Sequence, residues 1–111
     1  MKQLHNLDQV INDITGDSLA LLLIKTGQCG VCESVHVKIS AMLNDFPAVS
    51  GSYVYIADVP DIAAHHLVLT APTLLIFYRG KEVYRASRFI RFDELKHVLT
   101  IYSLEATYAE N

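Results

Sequence analysis

The stretch LALLLIKTGQCGVC, residues 19–32, decides how this chain folds. Its first six residues, Leu19 to Ile24, are all apolar. A strand that is apolar on both faces is tolerated only where helices or loops cover both sides of its sheet, which is the usual state of a central parallel strand. The chain then turns at Thr26-Gly27-Gln28, and an apolar stripe predicts that a helix begins at the cysteines.

The segments around this stretch predict alternating helices and strands. Asn6, with Gln9 three residues on, predicts the cap of a first helix over residues 7–15. Residues 53–57 predict a second buried strand, and Asp58 begins a helix-start signature for a short helix that ends near residue 67. The buried stripe of the helix after the cysteines is predicted to be Val31, Val35, Ile39, Met42, Leu43 and Phe46.

The C-terminal part predicts an antiparallel hairpin and a last helix. Strands over residues 73–78 and 82–86 flank a turn in which Gly80 can adopt a positive φ. The last amphipathic helix is predicted from Leu95, Val98, Leu99 and Tyr102, and residues 2–5 are a candidate edge strand. The right-handed crossover rule makes the first two strands parallel neighbours. The fold class is therefore α/β, with a mixed central sheet of four to five strands flanked by helices on both faces.

Composition limits the domain count, the compartment and the partners. The 111 residues are 51% hydrophobic, which fits a single domain over residues 1–111. A formal charge of −3 disfavours a nucleic-acid partner. The longest apolar run falls far below the roughly 20 residues that cross a bilayer, and the N-terminus shows no apolar secretory core. We therefore expect a monomeric cytoplasmic protein without a membrane partner.

The two cysteines, Cys29 and Cys32, are spaced for redox chemistry. A cysteine reacts as its thiolate, and a helix N-terminus stabilises an anion, so Cys29 is the predicted nucleophile with a lowered pKa. Cys32, one helical turn on, is the predicted resolving thiol. An alternative is a metal site that uses both cysteines and His36, although no second Cys-x-x-Cys pair is present to complete it.

At this point the sequence resembles the thioredoxin superfamily over nearly the whole chain. The resemblance rests on Cys29-Gly30-Val31-Cys32 and on Ala71-Pro72-Thr73-Leu74-Leu75-Ile76-Phe77. It implies that the Ala71–Pro72 bond is cis and lies beside Cys29, and that the backbone of Ala71 can pair with a substrate strand. The implied substrate-binding residues are Gln28, Gly30, Val31, Ala71 and Pro72.

Four positions depart from the thioredoxin pattern. Gln28 stands where thioredoxins usually carry tryptophan, and Val31 stands where they carry proline between the cysteines. Leu23 occupies the place of a buried carboxylate that assists proton transfer to the resolving thiol, so we expect slower substrate release. Glu33, directly after Cys32, places a negative charge that opposes thiolate formation.

The resemblance implies a cytoplasmic thiol–disulfide oxidoreductase that reduces protein disulfides through a mixed disulfide and transfers electrons from a reductase such as a thioredoxin reductase. No cofactor and no metal are expected. The alternative is a binding or adaptor domain with weak or no redox turnover, which the residues at positions 23, 28 and 31 favour. Six of the nine basic residues fall between positions 79 and 96, and we interpret them as a solvated face.

Overall fold

The computed structural model describes residues 1–16 and 18–109, which form a five-stranded mixed sheet with helices on both faces. The strand order is β1-β3-β2-β4-β5, with β3 parallel to β1 and β2, and β4 antiparallel to β2 and β5. This architecture confirms the predicted fold class. In chain order the elements are β1 (Lys2–Gln3), α1 (Leu7–Gly16), β2 (Leu19–Lys25), α2 (Gly30–Leu43), β3 (Ser50–Tyr55), α3 (Asp61–His65), β4 (Thr73–Tyr78), β5 (Lys81–Ser87) and α4 (Phe92–Ala109).

The central strand β2 is buried along its whole length. Leu22 packs in one core cluster with Val10 of α1 and Ile62 of α3. Its neighbour Leu23 packs in a second cluster with Ile39 of α2 and with residues of α4. Because successive side chains of a strand point to opposite faces, an unbroken apolar run is what a strand between two helical layers requires.

The predicted cap of α1 is present. The Asn6 Oδ1 atom accepts a hydrogen bond from the Gln9 backbone N–H at 2.9 Å. The Gln9 Oε1 atom in turn accepts one from the His5 backbone N–H at 2.7 Å. These bonds satisfy amide groups that have no partner within the helix, so the start of α1 is set locally.

The predicted bounds of β3 were wrong because strand pairing overrides local propensity. The strand β3 spans Ser50–Tyr55 rather than 53–57, since Ser50 and Gly51 pair with β2 although neither is a strong strand former. The helix α3 spans Asp61–His65, so it begins at the last residue of the start signature over residues 58–61 and ends about two residues before the predicted end. Pro60 is its N-cap residue. These shifts of about two to three residues are a usual boundary error.

The predicted stripe of α2 also needs correction. The helix ends at Leu43, and Phe46 is buried in the turn that follows it. Val31, predicted to be buried, is 57% exposed in the first turn of α2.

The final helix α4 is longer than its predicted stripe. Within the described ranges, no helix has the length and apolarity needed to span a bilayer.

The hairpin of β4 and β5 turns at Arg79 and Gly80, which both have positive φ, 52° and 80°. Glycine adopts this region without steric cost, as the sequence predicts for Gly80. The register of the pair shifts between Ile76 and Phe77, which marks a β-bulge. Because β4 runs antiparallel to β2, with Thr73 opposite Ile24, the residues before β4, including Pro72, lie at the same end of the sheet as the start of α2.

Replacing Leu22 with Ala should lower the free energy of unfolding by about 3 kcal/mol, because truncation of a fully buried leucine leaves a cavity in the core. The matched control is Leu104→Ala on α4, where the leucine is 54% exposed and the cost should stay below about 0.5 kcal/mol. Denaturant unfolding of the oxidised proteins measures both values. Equal losses in the two variants would contradict the burial of β2.

Candidate active site

Cys29 is the N-cap residue of α2. Its backbone is extended, with φ −116° and ψ 100°, and its Sγ atom accepts a hydrogen bond from the Cys32 backbone N–H at 3.1 Å. Its carbonyl accepts the Glu33 backbone N–H at 3.2 Å. The first amides of a helix have no intrahelical acceptors and carry partial positive charge, so the Cys29 sulfur lies where the helix favours an anion.

Cys29 and Cys32 form a disulfide, which makes the structure that of the oxidised protein. The two cysteines differ in access. Cys29 is partly exposed, whereas Cys32 is fully buried against the sheet with Val35 and Ile39. After reduction, only the Cys29 sulfur would be within reach of a macromolecule.

A surface depression of about 270 Å³ opens beside Cys29. The Ala71–Pro72 peptide bond in its wall is cis. Three of the predicted substrate-binding residues therefore lie together with the predicted nucleophile. The depression is lined by Cys29, Val31, Ala71, Pro72, Arg88 and Phe89.

The other two predicted substrate-binding residues occupy different places. Gly30 begins α2 and lines an adjoining depression together with Val31. Gln28 is exposed immediately before Cys29, with a positive φ of 54°. It lies outside the residues that line the two depressions. The structure thus places Gln28 at the rim rather than in the wall.

Arg88 and Phe89 are site residues that the sequence analysis missed. They belong to the connection between β5 and α4, and they reach Cys29 because the hairpin folds back beside Pro72. The Arg88 backbone N–H donates to the Pro72 carbonyl at 2.8 Å. A short Arg-Phe pair within a basic segment has no spacing that signals a site, so only the tertiary structure reveals it.

A buried lysine lies next to α2 and was also missed. The side chain of Lys25 is 1% exposed, and its Nζ atom is 3.0 Å from Glu33 Oε1 and 2.7 Å from His36 Nδ1. The same Nζ atom lies 4.5 Å from the ring centroid of Tyr53 and 4.8 Å from that of Tyr55. The sequence did contain a signal for this cluster, because Lys25 ends an apolar strand and a charge in that place must be paired with other groups.

This cluster shifts the titration of two residues on α2. The hydrogen bond from Lys25 holds the pKa of the Glu33 carboxyl below its usual value. Burial, and then the charge of Lys25, lower the pKa of His36. An ammonium group can only donate hydrogen bonds, so His36 Nδ1 accepts from Lys25 as a neutral imidazole. The negative charge that follows Cys32 is therefore paired, which weakens its expected opposition to a thiolate.

Leu23 and His36 concern two earlier expectations, the missing buried base at position 23 and the alternative metal site. Leu23 is fully buried in the apolar cluster that includes Val35 and Ile39, on the side of α2 that buries Cys32. Residues 1–16 and 18–109 contain no group of three or more His, Cys, Asp or Glu side chains arranged to hold a metal ion. The nitrogen of His36 that faces the core is bonded to Lys25 instead.

The fold and the Cys29–Cys32 pair define a thioredoxin-like protein. The chain is 31% identical over 99 residues to the thioredoxin-like protein YdfQ of Bacillus subtilis (strain 168). The matched segment covers 89% of this chain and 88% of that protein. It therefore belongs to the thioredoxin-like family. A scan against protein-family profiles finds no match.

Solved structures agree with this assignment. A thioredoxin-like protein from Bacillus cereus ATCC 10987 is 33% identical, with a TM-score of 0.64 over 77% of this chain and 88% of that one. Fasciola hepatica thioredoxin is 27% identical, with a TM-score of 0.77 over 92% and 99% of the two chains. Plasmodium falciparum thioredoxin, at 15% identity, shares the fold with a TM-score of 0.82 over 92% and 99%. Fold and cysteine pair together support thiol–disulfide oxidoreductase chemistry in general.

The lowered pKa of His36 predicts how stability depends on pH. Below the ordinary histidine value of 6.5 the unfolded chain binds a proton before the folded protein does, so the free energy of unfolding should fall as the pH decreases. His66, whose pKa is lowered chiefly by burial, adds to the loss in the same direction. Replacing His36 with Gln should flatten the dependence, as measured by denaturant unfolding across this range. An unchanged slope would contradict the lowered pKa of His36.

Proposed function

We propose that this protein reduces disulfide bonds of other proteins, with Cys29 as the nucleophile and Cys32 as the resolving thiol. The observation that carries the proposal is the hydrogen bond from the Cys32 N–H to the Cys29 sulfur at the start of α2. The same N–H would stabilise the thiolate after reduction of the pair, as charge-assisted hydrogen bonds do. A stabilised, partly exposed thiolate is the species that attacks a disulfide.

The reaction proceeds in two exchange steps. The Cys29 thiolate attacks one sulfur of the substrate disulfide, forms a mixed disulfide and releases the other substrate sulfur as a thiolate, which takes up a proton. Cys32 then loses its proton and attacks the Cys29 sulfur, which forms the Cys29–Cys32 disulfide and releases the second substrate thiol. Two electrons pass from the dithiol to the substrate, and the product is the oxidised state seen here.

The depression beside Cys29 supplies the surface on which a substrate segment would lie. Val31, Ala71 and Pro72 line it next to the sulfur. An extended segment can pair with the backbone of Ala71, in the manner of strand addition to a sheet, while its cysteine meets Cys29. Gly30 and Gln28 would bound the segment on either side of the nucleophile.

Turnover requires that the disulfide be reduced again. We assign this step to a reductase such as a thioredoxin reductase, which returns two electrons to the Cys29–Cys32 pair. The cytoplasm, where thiols are kept reduced, supports this direction of electron flow. The protein would act there as a monomer, without a cofactor of its own and without a nucleic-acid or membrane partner.

The buried position of Leu23 favours a second candidate function, a binding or adaptor domain with weak turnover. Leu23 offers no group that could take a proton from Cys32 on the buried side of α2. Without such a base the second exchange step is slowed. An adaptor would capture a disulfide partner at Cys29 and release it slowly, whereas a reductase would release it within the catalytic cycle.

Trapping the mixed disulfide tests the roles of the two cysteines. The variant Cys32→Ser, reduced and mixed with a disulfide-bonded protein, should accumulate a covalent adduct on Cys29, because the resolving step is blocked. Cys29→Ser should form none, since Cys32 is buried. Mass spectrometry of the intact adduct and of its peptides identifies the linkage. An adduct on Cys32, or none in either variant, would contradict the assignment.

A carboxylate at position 23 should speed release. We expect Leu23→Asp to raise the rate constant for resolution of the mixed disulfide by about tenfold, because general-base assistance commonly contributes that much or more. Leu23→Asn is the matched control, since it adds polarity without a titratable base. Stopped-flow measurement of thiol release compares the folded variants. Equal rates in both would remove proton transfer as the reason for slow release.

A further inference from the structure

The depression beside Cys29 is one end of a longer groove. A second depression of about 580 Å³ adjoins it, and the two share Val31, Arg88 and Phe89 in their walls. The groove therefore runs from Cys29 along α2 and beneath the connection between β5 and α4. The residues that line only its far part are Gly30, Ser34, Val35, Lys38, Ile90 and Phe92.

The near part of the groove exposes apolar side chains next to Cys29. Phe89 is 87% exposed, and Val31 contributes a second exposed apolar surface from the first turn of α2. An exposed aromatic ring next to a reactive sulfur favours contact with an apolar side chain of another molecule. This surface alone does not distinguish one apolar partner from another.

The groove also carries positive charge. Arg88 lies in its near part and Lys38 in its far part, and no acidic residue is among the side chains that line it. Within the described ranges, neither cation has a carboxylate at ion-pair distance. By contrast, Arg85 pairs with Glu82 at 2.8 Å. The ion pairs of the described chain include Arg91 with Asp93 and Glu94, and Lys25 with Glu33.

The backbone of Arg88 is held in an uncommon conformation. Its φ is 63°, in the left-handed region, which costs a non-glycine residue about 1 kcal/mol or more. The Arg88 N–H bonds the Pro72 carbonyl, and its Nε atom donates to Thr70 Oγ1 at 3.2 Å. These contacts fix the guanidinium beside the loop that borders Cys29. Among residues 1–16 and 18–109 its other N–H groups have no hydrogen-bond acceptor, so they can meet an anion. Strain that is kept at a binding surface is typical of a functional position.

We propose that Arg88, assisted by Lys38, selects protein disulfides whose flanking segment carries a carboxylate side chain next to an apolar one. The carboxylate would bind the guanidinium of Arg88, and the apolar side chain would pack between Val31 and Phe89. The occupant is thus an acidic and apolar segment of a disulfide-bonded protein. This inference rests on the proposed reductase function and adds the substrate class to it.

Matched peptides test the selection. Three disulfide-bonded peptides share a leucine beside the reacting cysteine. They differ only in the residue next to that leucine, which is Glu in the first, Gln in the second and Lys in the third. The reduced protein should react with the Glu peptide about three- to fivefold faster than with the Gln peptide, which is the upper part of the range expected for an exposed ion pair. The Lys peptide should react more slowly than the Gln peptide, and added salt should compress all the differences.

Charge-removing variants locate the selectivity. Arg88→Gln should bring the Glu-to-Gln rate ratio close to one, and Lys38→Gln, on an exposed position of α2, should reduce it partly. Lys81→Gln, which removes an exposed cation at the start of β5 outside the groove, should leave the ratio unchanged. An equal loss in the Lys81 variant would mean general attraction by the basic segment and would overturn the role of Arg88.

A small neutral disulfide separates this inference from the function on which it rests. Hydroxyethyl disulfide has no side chain for the groove to recognise, so the wild-type protein should reduce it whether or not the groove selects an acidic segment. If this compound and the Gln peptide are reduced but the Glu peptide reacts no faster, the selection is wrong and the reductase function stands. If none of these disulfides is reduced, both are wrong.

Discussion

The hydrogen bond between the Cys32 amide and the Cys29 sulfur is the interaction on which the rest of this site depends. It exists because Cys29 is extended and the next residue begins a helix, so that amides without intrahelical acceptors converge on one sulfur. The start of the helix is set in turn by β2, which is buried on both faces and cannot shift without exposing apolar side chains. The packing of β2 in the core therefore fixes the electrostatic surroundings of the Cys29 sulfur at the surface.

The Lys25 cluster shows how the protein accommodates a charge at the end of its central strand. The ammonium group lies between α2 and the aromatic rings of β3, where it meets Glu33, His36 and two tyrosines. Hydrogen bonds and ring contacts offset the cost of removing the charge from water. Because its partners come from α2 and β3, the cluster connects two elements through Lys25 beneath the first turns of α2.

Local signals in the sequence predict much of the fold but only part of the site. The apolar run of β2, the cap at Asn6 and the turn at Gly80 each depend on neighbouring residues, and each was correctly predicted. The start of β3 was not, because Ser50 and Gly51 form a strand only through their pairing with β2. Arg88 and Phe89 lie nearly sixty residues after Cys29 and approach it only through the folding of the hairpin, which no local pattern encodes.

The two outer strands have a consequence for self-association. The strand β1 contains only two residues, and β5 carries charged side chains, including Lys81, Glu82 and Arg85, beside the irregular pairing at Phe77. Edge strands that are short, charged or bulged hinder the addition of a strand from a second chain. The long apolar strands of the interior are thus shielded at both borders, and the chain has little template for fibril growth even when it is concentrated.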